Sequence, residues 1–294
     1  MKISTAQFFK ANADSMSRGQ SKVSGIQAKL GSGKVINSPS EDTTKANTIA
    51  KMEAQLEKLK VYSSSMDVAK TRLTSEESVL SSLTEVFQRL SELAIQGANG
   101  TMASEDRSVL AAEVSELRKE VLRLGNTKDL DGNYLFSGNR IDAPSFIEDA
   151  NGSVVYNGDF GRLSVNVSDS REISVNTLGN ELLSSDDFEA LKTLEEGLAD
   201  DDIDSIRGSV DSLKMVSDRL SVSFGQMAGR FAAINTQSEL NEEVSVRITT
   251  LLSQTRDLDY ATAVTELSRE TLALQALQAS FTRISQLTLF NFLR

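Results

Sequence analysis

Hydrophobic residues recur along most of this chain at alternating steps of three and four, the spacing that places side chains on one face of a helix. The pattern predicts helices within residues 1–34, from about 43 to 96, from about 104 to 124 and over 203–255, and a shorter one that begins at Asp187. Only two prolines occur in 294 residues, so few positions oblige these helices to break.

The C-terminal stretch, residues 257–294, has more apolar surface than one partner helix can cover. One apolar row, interrupted only by Glu270, has the spacing of a coiled-coil seam. This row consists of Tyr260, Ala263, Leu267, Leu274, Leu277, Phe281 and Ile284. A second set, off the seam, consists of Leu272, Leu287, Leu289, Phe290, Phe292 and Leu293. A helix that is apolar on several faces must be buried on several faces, so we expect neighbouring subunits to cover it; the alternative is a core helix of an ordinary globular protein.

The N-terminal helix has a similar row of moderate strength, and Gly31-Ser32-Gly33 is expected to end that helix. The two chain ends together therefore form the predicted assembly surface. Its contact residues are predicted to be Phe9, Met16, Val23, Ile26, Leu30, Tyr260, Leu267, Leu274, Leu277, Phe281, Ile284, Leu289, Phe290, Phe292 and Leu293.

The hydrophobic period changes after Asp131-Gly132 and returns to helical spacing near residue 187. Apolar and polar residues alternate around Val165 and around Ile173, and Asn151-Gly152 and Asn157-Gly158 are typical of hairpin turns. The sequence thus predicts a small antiparallel β region that is too small for a core of its own and packs on the helices. We expect a short linker in place of residues 145–170 to be tolerated.

The predicted fold is mainly α with a small β insert, arranged as an elongated antiparallel helical bundle with paired N- and C-terminal helices. Elongation follows because an unbroken helix over 203–255 would be about 80 Å long at 1.5 Å per residue. The predicted segments are an N-terminal assembly helix (1–44), the first part of a helical rod (45–130), the β insert (131–181), the second part of the rod (182–257) and a C-terminal assembly helix (258–294).

Composition narrows the possible functions. The net charge of -11 argues against binding to nucleic acid or to an anionic membrane surface, and the lack of an 18-residue apolar window predicts no membrane insertion. The start Met1-Lys2-Ile3-Ser4-Thr5 lacks the apolar core of a secretory signal, which favours a cytoplasmic protein or one exported without a cleaved signal. The chain has neither cysteine nor histidine, which removes disulfides, thiolate chemistry and the usual zinc, copper and iron sites.

Three short motifs resemble ligand sites without meeting their requirements. Gly31-Ser32-Gly33-Lys34 resembles the end of a phosphate-binding loop, but Ala28 stands where glycine is required and Val35 follows the lysine. Residues 129–133 resemble a calcium loop with the wrong spacing. The acidic run 200–202 suits the start of a helix better than a metal site. We therefore predict no cofactor and no metal.

An enzyme is the competing class of function. Glu148, Asp149 and Asp159 form the only plausible cluster for a carboxylate-based hydrolase, and they lie in the β insert. If that class were correct, Asp159→Asn would abolish turnover. Nothing in the sequence places two of these carboxylates at a working distance, so we predict that the chain is not an enzyme.

Motifs at both ends resemble the bacterial flagellin family. The start Met1–Thr5 and the turn Leu30–Asp42 are similar to the N-terminal region of flagellins, and Asp257–Val264 is similar to their C-terminal region. The segments Gly132–Gly138 and Leu287–Leu293 resemble the hook-associated junction branch of the family more than the flagellins themselves. A short flagellin, which would be a filament subunit, is the alternative within the family.

This resemblance implies a structural subunit of the flagellum that forms the junction between hook and filament by polymerising through paired terminal helices. It implies four partners: the first hook-associated protein, flagellin, other copies of the chain, and an export chaperone that binds the C-terminal segment. It also implies an extracellular location on the flagellum, reached by type III export without a cleaved signal peptide.

Overall fold

The computed structural model describes the backbone of residues 2–290 and the side chains of residue 7 and residues 9–284. Within these residues the helices are α1 (Lys2–Ser32), α2 (Thr43–Gly97), α3 (Ser104–Gly125), α4 (Gly179–Leu182), α5 (Ser185–Ala199), α6 (Ile203–Arg256) and α7 (Tyr260–Phe290). The strands are β1 (Phe146–Glu148), β2 (Val154–Tyr156), β3 (Ser164–Ser168) and β4 (Arg171–Ser174). The predicted mainly helical fold with a small β insert is confirmed.

The chain divides into two compact units. One comprises Met1–Lys58 and Glu243–Arg294, and the other comprises Leu59–Glu242. We call them the terminal unit and the central unit. The terminal unit contains both predicted assembly segments together with the first turns of α2 and the last turns of α6.

The core of the central unit is built from the predicted apolar rows. On α2 the buried residues include Leu80, Phe87 and Leu90, and on α6 they include Leu213 and Ile234. α3 packs beside α5 with its own row toward the same core. These long helices form where the sequence predicts them because their apolar face has a continuous partner surface, and tertiary packing supplies most of the stability of a protein helix.

The three-four spacing of α6 from Ile203 to Leu252 passes through Phe224 and Asn241, and these two residues depart from a simple apolar seam. Phe224 is 37% exposed, whereas its neighbour Ser223 is buried. The buried positions step by three from Leu220 to Ser223 and by four from Ser223 to Met227, so Phe224 lies beside the buried seam and not on it. Asn241 is buried on the row and donates from Nδ2 to the carbonyl oxygen of Leu59 at 2.8 Å. The buried side-chain amide of Asn241 therefore has the hydrogen-bond partner that a buried polar group requires.

The β insert consists of two antiparallel hairpins. β1 pairs with β2 so that Ile147 lies opposite Val155, and the turn passes through Gly152 with a φ of 78°, as the Asn151-Gly152 signal predicts. β3 pairs with β4, with Val165 opposite Ile173.

The predicted hairpin turn at Asn157-Gly158 is wrong. The Asn157 amide nitrogen donates to Ser145 O at 2.8 Å, and its side-chain Nδ2 donates to Pro144 O at 3.1 Å. A Cβ on Gly158 would lie 2.4 Å from the Tyr156 hydroxyl oxygen. Asn157 and Gly158 therefore pack the end of β2 closely against the preceding loop. The turn of the second hairpin lies instead between Ser168 and Arg171.

The insert shares the core of the central unit, as expected. The Phe146 ring is 3% exposed and lies 5.4 Å from the ring of Phe188 on α5, centroid to centroid. A Cβ on Gly125 would lie 2.8 Å from Phe146 Cδ2, so the glycine admits the ring. Val154 and Val167 are also buried in this core. The expectation that a short linker could replace residues 145–170 therefore conflicts with the packing, because such a replacement removes core side chains.

A buried polar network joins α2, α6 and the segment after β4. Glu76 of α2 is buried, and its carboxylate accepts a hydrogen bond from Thr177 Oγ1. Arg230 of α6 donates to Thr177 Oγ1 at 3.1 Å and to Asn176 O at 3.0 Å. Burial raises the pKa of Glu76, and the Thr177 hydrogen bond and the charges of Arg230 and Arg72 offset that effect only in part.

We expect Glu76→Gln to make the free energy of unfolding less dependent on pH. Because the folded pKa lies above the unfolded value of about 4.3, the folded chain binds this proton more tightly. The resulting stability is fully present below about pH 4.3 and is lost as the pH rises through the folded pKa. Urea denaturation at a series of pH values measures the difference between wild type and variant. Glu77→Gln, at an exposed neighbouring position, is the control; equal slopes in wild type and Glu76→Gln would contradict the prediction.

Candidate assembly interface

Within the terminal unit, α1 and α7 pair antiparallel over most of their length. The Phe9 and Phe281 rings meet edge to face, with centroids 5.6 Å apart. Nearer the other end of the pair, Lys22 Nζ lies 3.7 Å from Glu270 Oε1. The two predicted assembly segments are thus brought together, and the charged interruption at Glu270 faces an opposite charge.

A short backbone pairing connects these helices to the rest of the terminal unit. Val35 N donates to Arg256 O at 2.8 Å, and Leu258 N donates to Gly33 O at 2.9 Å. An antiparallel bridge between Lys34 and Asp257 lies between these two hydrogen bonds. We call residues 33–36 together with 256–258 the joint. It places the end of α1 directly beside the start of α7.

Gly33 and Tyr260 fit each other closely at the joint. Gly33 has a φ of 69°, a left-handed conformation that glycine adopts without steric cost. A Cβ at this position would also lie 2.9 Å from the Tyr260 hydroxyl oxygen. Both reasons favour glycine at the end of α1, and they give Gly31-Ser32-Gly33 a structural role in place of phosphate binding.

Charged side chains around the joint are paired within the chain. Lys29 Nζ lies 3.2 Å from Glu41 Oε2, and Arg256 Nε lies 3.0 Å from Asp257 Oδ1. Hydrogen bonds from Ser253 and Arg256 hold the pKa of Asp257 below its usual range. Asp259 accepts hydrogen bonds from the first turn of α7, and its pKa is lowered for the same reason. These carboxylates therefore fix turns and helix ends.

The predicted contact residues fall into three groups. Val23 and Leu274 are buried between α1 and α7. Those that are half-buried are Phe9, Met16, Ile26, Leu30, Leu267 and Phe281. Those that remain exposed are Tyr260, Leu277 and Ile284. The side chains of Leu289, Phe290, Phe292 and Leu293 lie outside the described residues. The row predicted as one seam is therefore divided between an internal contact and an open surface.

The open surface of α7 extends beyond the predicted row. Leu272, predicted to lie off the seam, is 68% exposed, and Val264 is 51% exposed. Among the described side chains of the two helices, only three apolar ones are buried: Val23, Ala263 and Leu274. Two long helices held by so few buried side chains form a weakly stabilised pair, because isolated helices are marginal in water.

The described part of the α1–α7 contact includes residues that were not predicted as contact residues, among them Gly19, Lys22 and Glu270. A Cβ on Gly19 would lie 3.2 Å from Leu274 Cδ1, so the missing side chain makes room for the leucine. Lys22 and Glu270 form the ion pair described above. The signal for Glu270 was present, since it was the single charge in an apolar row, but its partner on α1 could not be identified from spacing alone.

The carboxylates of the competing hydrolase hypothesis have structural partners. Glu148 Oε1 lies 3.1 Å from Arg118 Nη1. Asp149 Oδ1 accepts from the amides of Asn151 and Ser153 at 2.8 and 2.9 Å. Asp159 Oδ1 likewise accepts from backbone amides that include that of Asn139, at 2.7 Å. The structure therefore gives these three carboxylates roles in turns and in an ion pair.

In the described part of the chain, no group of three or more acidic side chains is arranged to hold a metal ion. No helix in the same part combines the length and apolar character needed to cross a bilayer.

Comparison with known proteins agrees with these features. Residues 3–140 match the family described as the bacterial flagellin N-terminal helical region. Flagellar hook-associated protein 3 of Salmonella typhimurium is 24% identical over the full length of both chains. The chain is thus similar to hook-associated protein 3 along its full length and to the flagellins over its N-terminal region. The family match contains α1, the joint residues 33–36, α2 and α3, so it includes the N-terminal half of the candidate interface.

Solved structures show the same fold. Hook-associated protein 3 from Legionella pneumophila aligns with a TM-score of 0.63 at 16% identity, covering 70% of this chain and 98% of that one. A flagellar junction protein from Legionella pneumophila aligns with a TM-score of 0.56 at 15% identity, covering 73% of this chain and all of the other. At these identities the likeness concerns the fold.

Proposed function

We propose that this chain is a structural subunit of the bacterial flagellum that forms the junction between hook and filament and polymerises through α1 and α7. The observation that carries the proposal is the apolar surface of α7 that α1 leaves uncovered, including Leu272 and Ile284. Each apolar side chain of that size gains roughly 1.5–3 kcal/mol on full burial. Neighbouring subunits are the natural cover for such a surface in a polymer.

The proposed partners are the first hook-associated protein on one side, flagellin on the other, and copies of this chain around the ring. The full-length similarity to hook-associated protein 3 supports these partners. An export chaperone would bind the C-terminal segment before assembly, because that segment contains the apolar side chains that need cover in the monomer. The chain would act outside the cell after type III export, in a structural and not a catalytic role.

Deletion of the gene in its own host tests this function. A junction protein is needed to start the filament but not to make flagellin. Electron microscopy should therefore show hooks without filaments, while flagellin accumulates in the medium. Restoring the gene should restore filaments. Filaments of normal length in the deletion strain would contradict the proposal. If the strain instead loses the bulk of its secreted flagellin, the chain is a filament subunit.

A further inference from the structure

The apolar rows of α1 and α7 repeat at the same interval and so do not specify one alignment. On α1 the row returns every seven residues, at Phe9, Met16, Val23 and Leu30. On α7 it does the same, at Tyr260, Leu267, Leu274 and Phe281. Sliding one helix along the other by seven residues places apolar side chains opposite apolar side chains again. The seam alone therefore permits several registers.

The structure nevertheless has a single register from the joint to the far end of the pair. Lys34 lies opposite Asp257. Twelve residues earlier, Lys22 meets Glu270, which lies thirteen residues after Asp257. Gly19 then meets Leu274, and further along Phe9 meets Phe281. Counted from the Lys34–Asp257 bridge, the paired residues lie 12 and 13, 15 and 17, and 25 and 24 residues away on the two helices, so the helices continue the alignment of the joint.

The chain segments between the joint and the two helices are too short to allow another alignment of α1 on α7. Its backbone hydrogen bonds at Gly33 and Val35 are independent of the helical seam. α1 ends at Ser32, one residue before the joint, and α7 begins at Tyr260, two residues after Leu258. Asp259 holds the start of α7 through hydrogen bonds to the amides of Ala261 and Thr262. A slip by seven residues would need about 10 Å of extra chain at 1.5 Å per helical residue.

We infer that the joint sets the register of α1 on α7 and thereby fixes which apolar side chains the terminal pair presents to neighbouring subunits. The Lys22–Glu270 pair and the fit of Leu274 against Gly19 then support the alignment that the joint selects. The inference concerns the folded chain itself. If the inference is wrong, the proposed function in the flagellum still stands, because that function requires α1 and α7 to pair but does not require the joint to set their register.

Engineered disulfides can report the register because the chain has no cysteine of its own. In the full-length protein, G19C combined with L274C should cross-link on mild oxidation, since a Cβ at residue 19 approaches the Leu274 side chain. G19C combined with L267C or with F281C, one seven-residue repeat away on either side, should not cross-link.

A full-length variant in which residues 261–267 are repeated once distinguishes whether the joint or the apolar seam sets the register. The repeat lengthens α7 by seven residues and keeps its apolar face. Counted from the joint, the second copy of Leu267 comes to lie opposite Gly19. A cysteine at that second copy should therefore cross-link with G19C, and the cross-link to the original Leu274 should be lost. Retention of the Leu274 cross-link, or loss of both, would overturn the inference.

Weakening the joint provides a second readout that does not lengthen the helix. V35P removes the amide that donates to Arg256 O, whereas the matched variant V35T keeps it. In the V35P background the cross-link of G19C should spread to L267C or F281C, and in the V35T background it should stay with L274C. A V35P protein that cross-links only through L274C would contradict the inference.

Discussion

Replacing Leu272 or Ile284 with aspartate should abolish incorporation of the chain into flagella while leaving the unfolding of the central unit nearly unchanged. Both residues belong to the terminal unit. Leu272 is 68% exposed and Ile284 is 36% exposed, so only the Ile284 substitution removes appreciable packing within the monomer. In the assembly a carboxylate at either position would be buried against a neighbour without a partner charge, which costs several kcal/mol. Swimming, electron microscopy of complemented cells and thermal unfolding of the purified variants measure the two effects separately.

Leu130→Asp is the matched control for these variants. Leu130 is an apolar side chain that is 85% exposed, and it belongs to the central unit, whereas α7 belongs to the terminal unit. It should incorporate normally. Phe281→Asp should block incorporation and also weaken the α1–α7 pair, because its ring meets Phe9. Normal filaments with Leu272→Asp and Ile284→Asp would show that the open face of α7 is not a subunit contact.

Phe146→Ala should lower the free energy of unfolding of the central unit by about 3–5 kcal/mol. The ring is buried against Phe188 and close to Gly125, so its removal leaves a cavity between the β insert and the helices. The cost of such a cavity adds to the lost transfer free energy of the ring. Urea denaturation followed by circular dichroism measures the change.

Phe160→Ala in the same insert is the control, since that ring is 74% exposed. It should change the free energy of unfolding by no more than about 0.5 kcal/mol. Equal losses for the two variants would mean that the insert does not share the core. A small effect of Phe146→Ala would instead restore the expectation that residues 145–170 can be replaced by a linker.

The positions of the long helices could be predicted from sequence because their signal is repeated over many turns. α6 runs from Ile203 to Arg256, close to the predicted 203–255, since buried residues recur on it every seven residues from Ile206 to Ile248. The hairpin at Gly152 was predicted for a similar reason: the turn itself requires a left-handed residue. Asn157-Gly158 consists of the same two residue types, but its conformation is set by contacts with Pro144, Ser145 and Tyr156. A local sequence pattern does not contain these contacts.

The candidate interface was predictable as a surface but not as a set of contacts. The sequence shows that the two ends have apolar rows. It does not show that Val23 and Leu274 become buried while Tyr260 and Ile284 remain exposed, because equal seven-residue repeats allow several alignments. The partner of Glu270 depends on the register of two segments more than 200 residues apart, so it required the structure.

Amide hydrogen exchange of the monomer and of the assembled junction tests the central claim, that folding of the chain ends is coupled to assembly. Residues 1–34 and 260–294 should exchange quickly in the monomer, where α1 and α7 bury few side chains, and slowly after assembly. Amides around Phe87 in the central core should be protected in both states. Terminal amides that are equally and strongly protected in the free monomer would contradict the account.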